Sequence, residues 1–524
     1  MQVLPRAIWS AIAPSSLLCI LLVLGGCAVG PDFKKPEAPV LKNWGPQGDA
    51  RISTQTAVDA AWWRNFRDPA LDRLIELAFH QNLTLQVAGL RIVEARAQLG
   101  VLTGQQFPQV QAVSGTVEGM GLSKYMARGL NIDRNSFNYQ AGFDAVWEVD
   151  IWGKYRRGVE AGAANLLATV SDYYGALVSL AAEVARTYTL IRTFEVLLLQ
   201  AESNARLQET SLQVAESRFR NGATSELDVA QATTLLESTR ASIPRLQVSV
   251  HQARNALSTL LGQAPGTVDN LLDGPKQIPA APAKVAISVP AEMLRRRPDI
   301  QSAELYAAAQ CARIGVAKAE LYPSFSLFGS IGLQVNSSVG GAFFSGDSFV
   351  YSLGPRITWP FFNYGRLTNS VRAEDARFQR LLVGYRHTVL KAAQEVEDAL
   401  VGFIDAQEAL LFEQRAVAAA ERSQEIAAVQ YREGAVDYQR VLDAQRMLLQ
   451  QQNSLAQSHS DVVVNVIALY KALGGGWQAR AGQPFVPLKT RKEMEQRTDW
   501  GDLLSEPRTP ETKSNTARPA QGKH

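Results

Sequence analysis

The sequence predicts an α+β membrane protein built from two tandem copies of one unit, a strand hairpin followed by a very long helix. Three observations carry that prediction. Residue patterns recur at a constant spacing of 212 along the chain. Two proline-free stretches of about 67 residues show a heptad pattern. Ahead of each lie period-two segments with one apolar face.

The spacing is read residue by residue. Arg218-Phe219-Arg220-Asn221-Gly222-Ala223 is echoed by Gln430-Tyr431-Arg432-Glu433-Gly434-Ala435, and Leu261-Gly262 by Leu473-Gly474. Trp147 matches Trp359 and Gly153 matches Gly365, all 212 residues apart. A second stretch, Gln98-Leu99-Gly100-Val101 through Phe107-Pro108, matches Arg313-Ile314-Gly315-Val316 through Tyr322-Pro323 at a spacing of 215. The three-residue change falls between Pro108 and Trp147, where a loop absorbs it. Two structural copies follow.

At the N-terminus, Arg6 precedes a short apolar core, Leu17 to Leu24, ending in Leu24-Gly25-Gly26-Cys27. This reads as a signal peptide over 1–26. Its end resembles a bacterial lipobox, a pattern in which the cysteine thiol receives diacylglycerol and the new amino terminus is acylated. Two or more acyl chains anchor stably where one does not. Ala28 stands where an aspartate would resemble an inner-membrane retention signal, which points to the outer membrane. Of the other cysteines, Cys19 lies in the signal segment, so Cys311 is left without an intramolecular disulfide partner.

After a lipidated N-terminal segment (27–83), the first copy spans 84–262. It comprises a helix over about 84–106, a β-hairpin over about 108–150, a long helix over 153–220 and a returning helix over 224–261. A connector (263–298) leads to the second copy (299–474), with a helix over 299–321, a hairpin over about 323–362, a long helix over 365–432 and a returning helix over 436–473. A polar tail (475–524) follows. At 1.5 Å per residue the long helices would extend roughly 100 Å, which marks them as supercoiled rods. Val389, Val396, Phe403, Leu410 and Val417 form one seam, with Ala392, Ala399 and Ala406 between them. Leu177, Val184, Ile191 and Leu198 form the other. Pro244 should kink the first returning helix.

The strands alternate apolar and polar residues, as in Phe137, Tyr139, Ala141, Phe143, Ala145, Trp147 and Val149. The second hairpin repeats this in Phe325 to Val335 and in Phe349 to Trp359. The strand after Pro108 is weaker, its faces nearly equally polar. Such runs suit ~10-residue tilted crossings with lipid on one side and water on the other. Four strands cannot close a barrel, for which ~8 is the minimum, and open edges are not tolerated in lipid. The chain must oligomerise; two, three or four copies satisfy the geometry.

Several segments together resemble the TolC-type outer-membrane efflux proteins, in their NodT-type lipoprotein branch. They are Cys27-Ala28-Val29-Gly30-Pro31-Asp32-Phe33, Trp62-Trp63-Arg64-Asn65-Phe66-Arg67-Asp68-Pro69-Ala70-Leu71, Arg296-Arg297-Pro298-Asp299-Ile300, Ala317-Lys318-Ala319-Glu320-Leu321-Tyr322-Pro323 and Val441-Leu442-Asp443-Ala444-Gln445. The resemblance covers roughly 27–475. It implies a homotrimer with a 12-stranded outer-membrane β-barrel, continued by a long α-helical coiled-coil barrel across the periplasm. It implies partners as well: outer-membrane lipid, a periplasmic adaptor (membrane fusion) protein and an inner-membrane RND-type transporter. The function it implies is a passive exit duct of a tripartite pump for drugs, toxic compounds or metals.

In the family the duct closes at its periplasmic tip, which here is Asn221–Asp228 and Glu433–Asp443. Asp443 matches the family's gate aspartate, whereas Arg440 stands where a second acid is frequent. Asp437, Gln439 and Asp228 complete the candidate set. Arg440 could pair with Asp443 or Asp437 of a neighbouring copy, or the constriction could fall at Gln439. Acids are also favoured near any helix N-terminus, which offers a purely structural reason for Asp437 and Asp443.

Other function classes find little support. Basic and acidic residues nearly balance, 53 against 50, so no nucleic-acid footprint is expected. The mean hydropathy of −0.09 argues against a polytopic helical membrane protein. His80, His251, His387, His459 and His524 are scattered, without metal-ligand spacing. No phosphate-binding loop, dinucleotide fingerprint or nucleophile elbow is present, so neither catalysis nor a cofactor is expected beyond the lipid on Cys27. Two rival readings remain, a protein-secretion exit duct and a periplasm-spanning structural lipoprotein scaffold. The bilayer-length amphipathic hairpins count against the scaffold.

Overall fold

The structure is a computed structural model that describes residues 28–37, 44–45, 49–54, 60–125, 128, 133–287, 296–338 and 340–505. In chain order the regular elements are β1 (Ile52–Thr54), α1 (Pro69–Gln81), α2 (Leu83–Gly104), β2 (Val110–Gly121), β3 (Asn135–Val149) and α3 (Lys154–Arg220). They continue with α4 (Glu226–Leu260), β4 (Val285–Ile287), α5 (Pro298–Ala319), β5 (Ser324–Asn336), β6 (Phe349–Thr358), α6 (Arg366–Arg432), α7 (Tyr438–Ala472) and α8 (Leu488–Glu495). The chain divides into two compact units. One holds residues 1–37, 94–170 and 302–387, and the other holds 38–93, 171–301 and 388–524.

The first unit contains an antiparallel four-stranded sheet in the order β2-β3-β5-β6. Because side chains alternate along a strand, the register collects residues by face. Val113, Phe143, Ile331 and Tyr351 form one row, and Val117, Tyr139 and Val335 another on the same face. On the other face run more polar rows, Ala112–Asp144–Ser330–Ser352 and Thr116–Gln140–Gln334. Even β2, whose own alternation is weak, takes its place in this pattern. It is exposed along its whole length, as is most of β6, because each is paired on one side only.

The duplication is visible in atomic detail here. Trp147 Nε1 donates to Gln106 O (3.2 Å), and its counterpart Trp359 Nε1 donates to Leu321 O (3.1 Å). The segment from Ala28 packs close by. Val29 N donates to Trp152 O (3.0 Å), and Gly30 lies so close to Gly315 that a Cβ would fall 2.5 Å from its Cα. Buried Arg157 ties Asp32 (2.6 Å) to Glu160 (2.8 Å), and Cys311 is buried with its Sγ 3.5 Å from Pro31 O.

The second unit is helical apart from the short parallel pair β1–β4. The heptad seams are its core. Val389, Ala392, Val396, Ala399 and Phe403 are buried, as are Leu177, Val184 and Ile191. Each long helix runs antiparallel to its returning partner, as the Arg240–Glu209 pair (3.1 Å) and the Asn465 Nδ2 bond to Gly402 O (3.0 Å) show. The copies also cross-pair. Ser211 takes Gln445 (2.6 Å) and Asn204 takes Gln452 (2.7 Å), which sets α3 antiparallel to α7. Pro244 lies inside α4 without ending it.

Two of the segments that carried the family resemblance prove to be packing and capping devices. Trp62, Trp63 and Phe66 are buried, with Trp62 stacked on Tyr470 at 5.2 Å. Asp68 caps α1 by accepting from Ala70 N and Leu71 N, with Pro69 at the first helical position. Arg297 is buried and joins Asp299 (2.8 Å), Glu395 (2.7 Å) and Ala472 O (2.6 Å).

Candidate functional site at the helix tips

Each long helix ends in the same turn. Gly222 N donates to Phe219 O and Ala223 N to Arg218 O (2.8 Å); 212 residues on, Gly434 N donates to Tyr431 O and Ala435 N to Gln430 O (2.8 Å). The glycines have φ of +72° and +78°, a left-handed conformation that side chains resist, so glycine ends both helices here. Below the turns, Ala215, Ala232, Leu235, Ala427, Tyr431 and Tyr438 pack in one apolar cluster with Val441 and Leu442. The four helices α3, α4, α6 and α7 thus share a core at their tips.

Side chains lock the two turns to each other. Arg218 donates to the carbonyls of Tyr431 and Arg432 and lies 4.7 Å over the Tyr431 ring. Tyr431 donates its hydroxyl to Asp228 Oδ2 (3.1 Å), which also accepts from Thr224. Asp228 is half-buried, and this position makes it a hub of the lock. Burial pushes the Tyr431 hydroxyl above its ordinary pKa and raises that of Tyr438 to about 12, so both are neutral at physiological pH.

The other candidates face outward. In the run from Val441 to Gln445, every residue is buried except Asp443. Asp443 accepts from Gln439 (2.9 Å), and Gln439 in turn meets Gln231 at 3.4 Å. Asp437 is exposed at the N-cap of α7 and makes no side-chain capping bond. Arg440 is exposed and, among the described residues, forms no ion pair with Asp437 or Asp443 of its own chain. The structure therefore brings Gln439 and Asp443 together and leaves Arg440 apart. Cys27 lies outside the described residues.

Sequence reasoning missed Arg218, Thr224 and Tyr431. A signal existed, because Arg218 and Tyr431 both sit in the repeated hexapeptide. Their partners, however, lie about 200 residues away, beyond the reach of local pattern.

The model of the family described as outer membrane efflux protein matches residues 74–263 and 289–475, one match over each copy. The chain belongs to that family. As an outer-membrane efflux protein it is a conduit of the outer membrane rather than an enzyme. It is 32% identical over 473 residues to the antibiotic efflux pump outer membrane protein ArpC of Pseudomonas putida, spanning 89% of this chain and 96% of that one. Against the cation efflux system protein CusC of Escherichia coli it is 31% identical over 472 residues, 89% of this chain and 100% of CusC. The solved structure of the outer-membrane channel OprN superposes with a TM-score of 0.80 at 33% identity, covering 86% of this efflux protein and 100% of OprN.

Proposed function

We propose that this efflux protein is the passive exit duct of a tripartite pump for small molecules, working as a lipid-anchored homotrimer. The observation that carries the reading is the sheet, with one apolar face, one polar face and two unpaired edges. Unpaired backbone groups in hydrocarbon cost several kcal/mol each by order of magnitude, so the edges must join those of other copies. Three copies give twelve strands and a water-filled lumen. Acyl chains on Cys27 hold the assembly in the outer membrane.

Transport energy comes from partners, a periplasmic adaptor and an inner-membrane transporter of the RND type. Relatives of nearly equal similarity are named for antibiotics in one case and cations in another, which supports a small-molecule cargo without narrowing it. The tips act as the gate. Asp443, with Gln439 and Arg440 on the same exposed stretch, lines the constriction, where threefold repetition of each charge controls passage. Arg440, unpaired at home, meets Asp437 or Asp443 of the next copy, and Asp228 holds each protomer's own tip together.

Purification in detergent followed by planar-bilayer reconstitution tests this. The expected result is a mass of three chains and discrete conductance steps. A monomer without conductance would overturn the duct. Labelling with a tagged fatty acid should mark the wild type and not Cys27→Ala.

A further inference from the structure

A cavity of about 1000 Å³ lies in the helical unit, away from the tips. Its walls combine a proline-rich loop, Asp273 to Lys284, with the start of α1 and the preceding turn. Five cationic side chains face it against two carboxylates. Internal bonds account for part of that charge. Buried Arg192 is held by Glu195, Tyr188 and Leu272 O, while Asp68 caps α1 and accepts from Tyr188 (2.7 Å). Arg64 is 3.8 Å from exposed Glu76. Arg67, Arg73 and Lys284 have no ion-pair partner among the described residues, and of the carboxylates only Asp273 is uncommitted. The cavity therefore keeps a surplus of free positive charge.

Arg67 adds an independent sign. Its φ is +52°, and among the described residues only Tyr364 shares a positive φ without being glycine. A glycine would take this backbone without strain, so the arginine occupies it at a cost to the fold. Its side chain lines the cavity. The loop also contributes Pro275, Pro279 and Pro282, which have no amide N–H and offer only apolar surface and carbonyl acceptors. Free cations together with carbonyl acceptors suit an extended peptide that supplies carboxylates and backbone N–H groups together.

We propose that this cavity binds an extended, carboxylate-rich segment of a partner polypeptide, held by Arg67, Arg73 and Lys284. The site does not depend on how the tips close, and its test reads no conductance. Fluorescein-labelled hexaglutamate is titrated into the full chain in detergent and followed by anisotropy, with hexaserine as the uncharged control. Saturable hexaglutamate binding is expected, weakened roughly three- to fivefold by Arg67→Gly, the range expected of a single exposed charge contact. That variant should melt no lower than the wild type, because glycine relieves the backbone. Arg67→Gly/Arg73→Gln/Lys284→Gln should lose more than about tenfold, as three such contacts together imply, and Arg497→Gln, outside the cavity, should bind as the wild type does. No binding by the wild type, or equal binding by the triple variant, would overturn the proposal. Displacement by inorganic phosphate at equal concentration would overturn it too, showing a small-anion site. If the triple variant fails to fold, Arg67→Gly alone decides.

Discussion

The turn after Arg220 and the turn after Arg432 share their backbone bonds and their left-handed glycine, yet the side chains around them do not correspond. At 212 residues apart, Tyr431 answers to Phe219, and Arg440 answers to Asp228. The hydroxyl–carboxylate bond that Tyr431 makes to Asp228 therefore has no twin, since a phenyl ring and a guanidinium stand in the equivalent places. Tyr438, buried in the shared core, answers to exposed Glu226. Duplication preserved what the backbone needs, while divergence gave each protomer an internal lock on one side and the exposed Arg440 on the other. An exact repeat would place identical chemistry at six points around a trimeric tip; this chain places two kinds at three points each.

The asymmetry can be broken from its strongest side first. Asp228→Ala removes the acceptor of both Tyr431 and Thr224 and leaves their hydroxyls partly buried without it. A loss of about 1–3 kcal/mol is expected, measured by denaturant unfolding of the detergent-solubilised protein. Tyr431→Phe makes the second turn resemble the first and should cost about 1 kcal/mol by the same measurement. If both variants unfold as the wild type does, the lock contributes nothing.

The missing twin can also be built. Phe219→Tyr alone gains no acceptor, because Arg440 stands at the position equivalent to Asp228, but Phe219→Tyr with Arg440→Asp should recover about 0.5–1.5 kcal/mol of coupling in a double-mutant cycle. Zero coupling would mean that the two sides differ in backbone and not only in side chains.

A pH dependence sharpens the contrast at Tyr438. Burial favours the neutral phenol and raises its pKa from 10.0 to about 12, so its contribution is complete below pH 10 and is lost between pH 10 and 12 as the unfolded chain ionises first. Buried Tyr188, also raised to about 12, acts in the same window. Tyr438→Phe should flatten part of the alkaline decline in melting temperature. An unchanged decline in Tyr438→Phe would remove Tyr438 from the account.

Much of the fold was legible because its signals are local. Heptads from Val389 to Val417 and alternation from Phe137 to Val149 are set by helix pitch and strand pleat, and the long helices end at Arg220 and Arg432, where the glycine turns were read. The weak strand β2 was less legible, since its faces are assigned by pairing with β3 rather than by its own residues. At the tip, Asp443 was legible through its match to the family's gate aspartate in Val441-Leu442-Asp443-Ala444, but the role of Asp228 depends on Tyr431, about 200 residues away. Arg218 looked like one basic residue among many until its carbonyl partners in the other copy were known. Long-range pairs of this kind leave no trace in periodicity.

The central claim is that several copies of the amphipathic sheet close a pore that the helix tips hold shut. Single-channel recording of wild type and Asp228→Ala in planar bilayers tests it most directly. The account predicts small steps for the wild type and steps several-fold larger for the variant, as its tip loosens. Channels of equal conductance would contradict the gate, and the absence of channels in both would contradict the duct itself.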